Sequence, residues 1–297
     1  MRRLLLVSLA LLLVMGGCRK KVDSKLWNGG KEVPVAQVYQ KGLTYLSDGK
    51  YAKARQYFQL IIDNAANSKE FSKAKLGIAD AEFFDLERGA GDALADYESF
   101  LVYFPRNEDA PYAQYMVGMC YYSQISTPDR DQSFSHQAIE AFEKLRQKYP
   151  LSPYSKLSEE KIKACWQRLA EHEFDVGVFY YKARSYLASS GRFEYLLDHY
   201  LSYLNDQEKE ETYYYYGRSQ FEMTRYDKAA RYYRLLLKEF PKTLYHDQVS
   251  AELADIESGK LEKEKKEKID KFLKEHNIKI KPNKKPGETE KKDPAGK

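Results

Sequence analysis

Cys18 carries the plainest chemistry in the chain. Met1-Arg2-Arg3 precede a nearly unbroken apolar run from Leu4 to Met15, then Gly16-Gly17 and the cysteine. A charged start, an apolar stretch and small residues before a cleavage point make a secretory signal. With a cysteine at that point it reads as a bacterial lipoprotein signal: residues 1–17 are removed and Cys18 becomes an acylated N-terminus. The run falls short of the ~20 residues a spanning helix needs, and no later run approaches that length. The expected state is therefore anchored, with several acyl chains on one cysteine holding a membrane that a single chain binds only marginally. The plainer alternative is a secreted protein in which Cys18 is incidental.

The other reactive side chains form no catalytic set. Cys120 and Cys165 are too few for a disulfide scaffold, and their apolar helical surroundings read as small buried hydrophobes; a bridge between them stays open at this point. His136, His172, His199, His246 and His276 are widely spaced, with no HExxH and no Cys/His cluster. GxSxG and phosphate-loop patterns are absent from the sequence. Asp129-Arg130-Asp131 places two carboxylates in a loop without the spacing calcium needs. It reads as an internal cap or salt bridge, with a bidentate pair from Arg130 to a partner carboxylate as the alternative. No catalytic residue, metal or cofactor is expected.

Charge is unevenly placed. Residues 18–260 carry 34 basic and 36 acidic side chains, whereas 261–297 carry 13 lysines against 8 acids. The body has no dense basic stripe, so nucleic acid is not expected as a partner. Residues 18–35 read as a flexible membrane tether and 36–260 as the folded domain. Residues 261–279 read as a charged helical extension, and 280–297, with three prolines and nine charged residues, as a disordered basic tail.

Within 36–260 a spacing recurs. From Gly42, offsets of 7, 9, 12 and 16 lead to Gly49, Tyr51, Ala54 and Phe58; from Gly217 they lead to Thr224, Tyr226, Ala229 and Tyr233. Ala93-Tyr97-Phe100-Pro105, Ala138-Phe142-Leu145-Pro150 and Ala229-Tyr233-Leu236-Pro241 share spacings of 4, 7 and 12. Small residues let two helices approach, aromatics fill the gap, and proline closes the second helix. This pattern resembles the tetratricopeptide repeat. The fold class expected is an all-α, tetratricopeptide-like solenoid of about five helix pairs, near 36–67, 70–106, 108–151, 156–205 and 208–242, plus a C-terminal helix. A long helix from Ser155 to Ser190 is expected in the fourth pair, and a single final helix from Tyr245 to His276. Each pair leaves an apolar face for the next to cover, and the concave side becomes a docking surface. First helices line that side, which makes Tyr39, Tyr45, Tyr115 and Tyr122 the candidate groove residues among 26 tyrosines. A tyrosine ring serves packing and partner contact equally well.

Across roughly 34–242 the chain also resembles the BamD family of outer-membrane assembly lipoproteins. The likeness is carried by Asp129-Arg130-Asp131-Gln132, Ala138, Phe142, the Tyr149-Pro150…Ser152-Pro153-Tyr154 turn, Arg168-Leu169-Ala170-Glu171-His172-Glu173-Phe174 and Tyr180-Tyr181. Leu151 stands where the family more often has Asn, and Phe174 replaces a tyrosine. The resemblance implies five repeats on the periplasmic face of the outer membrane, a BamA-like barrel partner held by the C-terminal half, and unfolded outer-membrane proteins engaged by the N-terminal repeats. Further lipoproteins of the assembly machinery are implied as companions. Carried onto this chain, the partner interface falls on Arg168, Glu171, Glu173, Tyr214 and Arg218. Arg19, which is not the aspartate of inner-membrane retention, agrees with outer-membrane sorting. The rival readings are a lipid-anchored scaffold for a cell-wall or division complex, and an adaptor driven by the lysine-rich tail.

Overall fold

A computed structural model describes residues 25–28 and 31–276. The signal segment, Cys18 and the tail 280–297 lie outside the described residues. Two short strands, β1 (Lys25–Asn28) and β2 (Lys31–Pro34), pair antiparallel with Lys25 opposite Pro34. Part of the segment read as a tether is thus a hairpin leading straight into the first helix.

Twelve helices follow among the described residues: α1 (Val35–Ser47), α2 (Tyr51–Asn64), α3 (Glu70–Phe83), α4 (Ala90–Tyr103), α5 (Ala110–Tyr122), α6 (Ser133–Lys148), α7 (Pro153–Lys182), α8 (Tyr186–His199), α9 (Asp206–Glu222), α10 (Tyr226–Glu239), α11 (His246–Glu257) and α12 (Lys260–Glu275). The helical-repeat fold expected from the spacing is the fold observed. Contacts cluster into two compact units, Met1–Val176 with Tyr195–Leu204, and Gly177–Glu194 with Asn205–Lys297.

The physical content of the spacing is visible in four of the helix pairs. A Cβ on Gly42 would lie 2.5 Å from the Phe58 ring, and one on Gly217 would lie 2.7 Å from Tyr233. The small residue exists so that an aromatic sixteen positions later can lie flat on the helix backbone. Phe58 is fully buried and also fills the space over Gly77 on α3, so one ring joins two successive helix pairs. A buried aromatic of this kind contributes about 1.5–3 kcal/mol. Gly177 and Phe193 repeat the arrangement in the second unit, with 2.8 Å between a Gly177 Cβ and the ring. In the third pair the contact runs from Gly118 to Phe142, eight positions later than the standard sixteen, which measures the inserted loop.

Two helix boundaries differ from the sequence expectation. The long helix stops at Lys182 rather than continuing to Ser190, because Arg184 adopts a left-handed φ of 59°. The final helix is two, α11 and α12, broken where Gly259 takes a φ of 69°. In both places a single left-handed residue ends the i→i−4 ladder, and Gly259 does so without a Cβ penalty.

Candidate functional site

Two of the clefts on the first unit bear on function. One is open, about 620 Å³, and lined by Leu43, Thr44, Leu46 and Ser47 of α1, Tyr51 of α2 and Phe84 just beyond α3. Phe84 is 48% exposed and Leu86 beside it 99% exposed. A large ring and a leucine are thus left in water beside an apolar cleft. Neither residue stands out in the sequence. The available signal is Phe83-Phe84 at a helix end, one aromatic more than the buried face holds.

The second cleft, about 360 Å³, is polar and built where the two most family-like segments meet. Arg130, Asp131, Gln132 and His136 come from the α5–α6 loop and the start of α6, Leu169, His172 and Glu173 from α7, and Tyr195 and Tyr200 from α8 and its end. Buried Gln132 organises the loop: its amide donates to the carbonyls of Arg130 at 2.9 Å and Thr127 at 3.1 Å. The Nδ1–H of His172 donates to the Pro128 carbonyl and so ties the loop to α7. Asp131 accepts from the backbone N–H and the hydroxyl of Ser133, the first residue of α6, at 3.1 and 2.8 Å. Those bonds hold its carboxyl below the ordinary carboxylate range. Asp129 and Arg130 are exposed and 3.8 Å apart. Asp131 is thus bonded within its own loop and Asp129 stands beside Arg130; among the described residues no three His, Cys, Asp or Glu side chains gather as metal ligands would.

The predicted interface residues separate into two kinds. Arg168 Nη1 donates to Glu171 Oε2 at 2.8 Å, with side chains 35% and 38% exposed, so this pair stands on an accessible helix face. Glu173 is instead buried, in the wall of the polar cleft. In the second unit Tyr214 is buried, stacked 3.6 Å from Tyr245 and donating to Gln248 at 3.1 Å. Arg218 donates to Glu252 at 2.5 Å and to Glu222 at 2.6 Å. Tyr233 donates to the other oxygen of Glu252 at 2.5 Å. Burial opposes the Arg218 charge, yet the hydrogen bonds to Glu252 and Tyr181 and the nearby Glu252 charge together outweigh it and hold the guanidinium above its ordinary pKa. Tyr214 and Arg218 are thus committed to the packing of α9 against α10 and α11. Sequence reasoning missed Glu252, the carboxylate that makes this so.

The four groove tyrosines are half-buried, and each has a neighbour. Tyr39 lies 5.6 Å from Phe58, Tyr45 5.2 Å from Tyr57, and Tyr115 5.7 Å from Phe142. The Lys161 ammonium sits 4.6 Å above the Tyr122 ring. Burial raises the Tyr39 and Tyr115 phenols above their ordinary values. Their rings serve packing, with one edge left toward solvent. Cys120 and Cys165 are buried and unbridged, each thiol pushed up to about 12 by burial.

Stacked helix pairs carrying clefts and ordered loops define a helical-repeat protein; residues 211–243 match the tetratricopeptide repeat model. Residues 31–209 match the YfiO model, described as outer membrane lipoprotein, and the chain belongs to that family, which is the family of BamD. The outer membrane protein assembly factor BamD of Rickettsia prowazekii (strain Madrid E) is 29% identical over 244 residues, covering 82% of this chain and 94% of that protein. BamD of Caulobacter vibrioides is 29% identical over 168 residues, covering 57% of this chain and 54% of that one. Among solved structures, a thermophilic TPR protein in Thermus thermophilus aligns at 15% identity over 74% of this chain and 99% of that one, with a TM-score of 0.32.

Proposed function

We propose that the chain is a non-catalytic assembly factor for outer-membrane proteins, lipid-anchored through Cys18 at the periplasmic face of the outer membrane. It holds a BamA-like barrel protein and passes unfolded barrel substrates to it. The observation that carries this reading is the family match over 31–209, together with relatives that bear the name outer membrane protein assembly factor. The clefts agree with it. An open apolar cleft edged by Phe84 and Leu86 suits an unfolded segment rich in alternating apolar residues. The accessible Arg168–Glu171 pair suits a charged rim contact with a folded partner domain.

The test is affinity purification of the chain from detergent-solubilised envelopes, with partners identified by mass spectrometry. A BamA-like barrel protein is expected, with recovery reduced by Arg168→Glu or Glu171→Arg. These two sites are preferred to Tyr214 and Arg218, whose replacement would disturb α9 packing and blur the result. Recovery of other envelope complexes without any barrel protein would overturn the proposal, and cell-wall enzymes in its place would favour an envelope scaffold.

A further inference from the structure

The first helix pair carries a basic surface that the assembly reading enters only at Tyr45, one of the groove candidates. Tyr45 and Tyr57 lie 5.2 Å apart on it. The ammonium groups of Lys50 and Lys53 reach 5.9 and 5.6 Å from the Tyr45 ring, and that of Lys41 reaches 6.0 Å from the Tyr57 ring. All three lysines are exposed. Lys50 pairs with Asp48 at 2.9 Å. Among the described residues no carboxylate pairs with Lys41 or Lys53. Two half-buried phenols under three ammonium groups make a basic, amphipathic patch, and Lys and Tyr are the side chains that settle at a membrane–water boundary.

Chain length lets this patch reach the membrane. Seven peptide steps separate Cys18 from Lys25, a reach of at most about 25 Å. Lys25 pairs with Pro34, the residue before α1, so the hairpin folds back and adds only about 5 Å. Tyr45 lies ten residues along α1, or about 15 Å further. An acylated Cys18 therefore keeps the patch within about 45 Å of the bilayer surface. The intervening segment is itself basic: residues 19–31 hold five Lys or Arg and one acid.

We propose that Lys41, Lys50 and Lys53, with Tyr45 and Tyr57, rest on anionic phospholipid headgroups of the leaflet that holds the Cys18 acyl chains. The first helix pair is then laid against the membrane rather than hanging from it. The inference rests on the lipid anchor of the proposed function. It adds that the anchor alone does not set the protein's orientation: basic side chains near an anionic surface do, by attraction that fades within a Debye length.

The test uses the acylated full-length mature chain in two vesicle types, one of neutral phospholipid only and one with about a quarter phosphatidylglycerol. Lysines are modified with an amine-reactive reagent and read by mass spectrometry, with Lys144 on α6 as the control. Each lysine held at an anionic surface is worth about fivefold in partitioning, so Lys41, Lys50 and Lys53 are expected to react about fivefold more slowly in the anionic vesicles. High salt should remove the difference, and Lys144 should react alike in both. A variant with Lys41→Glu and Lys53→Glu, checked for an unchanged circular dichroism spectrum, should lose the protection of Lys50. Vesicle-bound protein whose three lysines react equally in both lipids overturns the inference while leaving the anchor standing. Protein that floats with neither vesicle overturns the anchor, and this placement with it.

Discussion

Asp80 shows how much one side chain can hold in this fold. Tyr97 of α4 and Tyr112 of α5 both donate to its Oδ1, at 2.5 and 2.7 Å, so a carboxylate on α3 joins three helices. Desolvation raises its pKa above the ordinary 3.8, against the lowering effect of the two phenols. A carboxyl raised in the native state binds its proton more tightly there than in the unfolded chain. Its contribution to stability is therefore full below pH 3.8 and declines as pH rises through the native value. Asp80→Asn keeps an oxygen that accepts both phenols and removes the buried charge, so it is expected to leave stability at pH 7 nearly unchanged and to flatten that decline. Asp80→Ala strands two buried hydroxyls and is expected to cost about 2–3 kcal/mol in denaturant unfolding. Equal losses from both variants would show that the charge, not the acceptor, is what matters. Cys120 and Cys165 give a second check. With thiols pushed up to about 12 and buried, neither should react with a thiol reagent at pH 8 until the protein is unfolded.

At the scale of the helix pair, the turn is the telling element. Offset 7 from the packing glycine falls on Gly49, Arg184 and Thr224, and all three have positive φ, 71°, 59° and 58°. Glycine meets this demand freely, while an L side chain, and above all β-branched threonine, is strained there. Thr224→Gly is therefore expected to raise stability by about 0.5–1 kcal/mol and Gly49→Ala to lower it by about 1 kcal/mol, read as opposite shifts of the denaturant midpoint. The same offsets explain what the sequence discloses and what it hides. The pattern is legible at Gly42 and Gly217, where Gly49 or Thr224 and an alanine stand at offsets 7 and 12 and aromatics at offsets 9 and 16. It is masked at Gly177, because Arg184 stands for the turn glycine and Ser189 for alanine, although Tyr186 and Phe193 keep offsets 9 and 16. A local left-handed turn on Arg184 cannot be read from residue type, and so the helical pattern runs eight residues past the true end of the long helix. The candidate site is less legible for a related reason. The family resemblance puts Arg218 and Tyr214 on a partner interface, but Glu252 and Tyr245, more than thirty positions later, pair with them inside the unit. Leu151, the departure from the usual turn residue, is 99% exposed and has no packing role to constrain it.

At the scale of the whole molecule, stability is built from neighbour to neighbour. Among the helices of the first unit, α1 packs on α2, α2 on α3, α3 on α4, α4 on α5 and α5 on α6, with α1 also reaching α3. Nothing in that series joins α1 directly to α6, so damage should travel only as far as shared side chains carry it. Phe58 is such a side chain, lying over Gly42 on α1 and Gly77 on α3. Gly42→Val places its Cβ 2.5 Å from that ring, and the backbones must part to admit it. Overpacking of this kind costs about 1–3 kcal/mol. Native-state hydrogen exchange on the variant is expected to speed up in α1, α2 and α3, where Phe58 packs. It should leave α5 and α6 close to their original rates, because their own ring, Phe142 over Gly118, is untouched. The denaturant transition should broaden as the first pair frays ahead of the rest. Uniformly faster exchange from α1 through α6 would mean that the unit melts as one cooperative body, and the nearest-neighbour account of its stability would have to be abandoned.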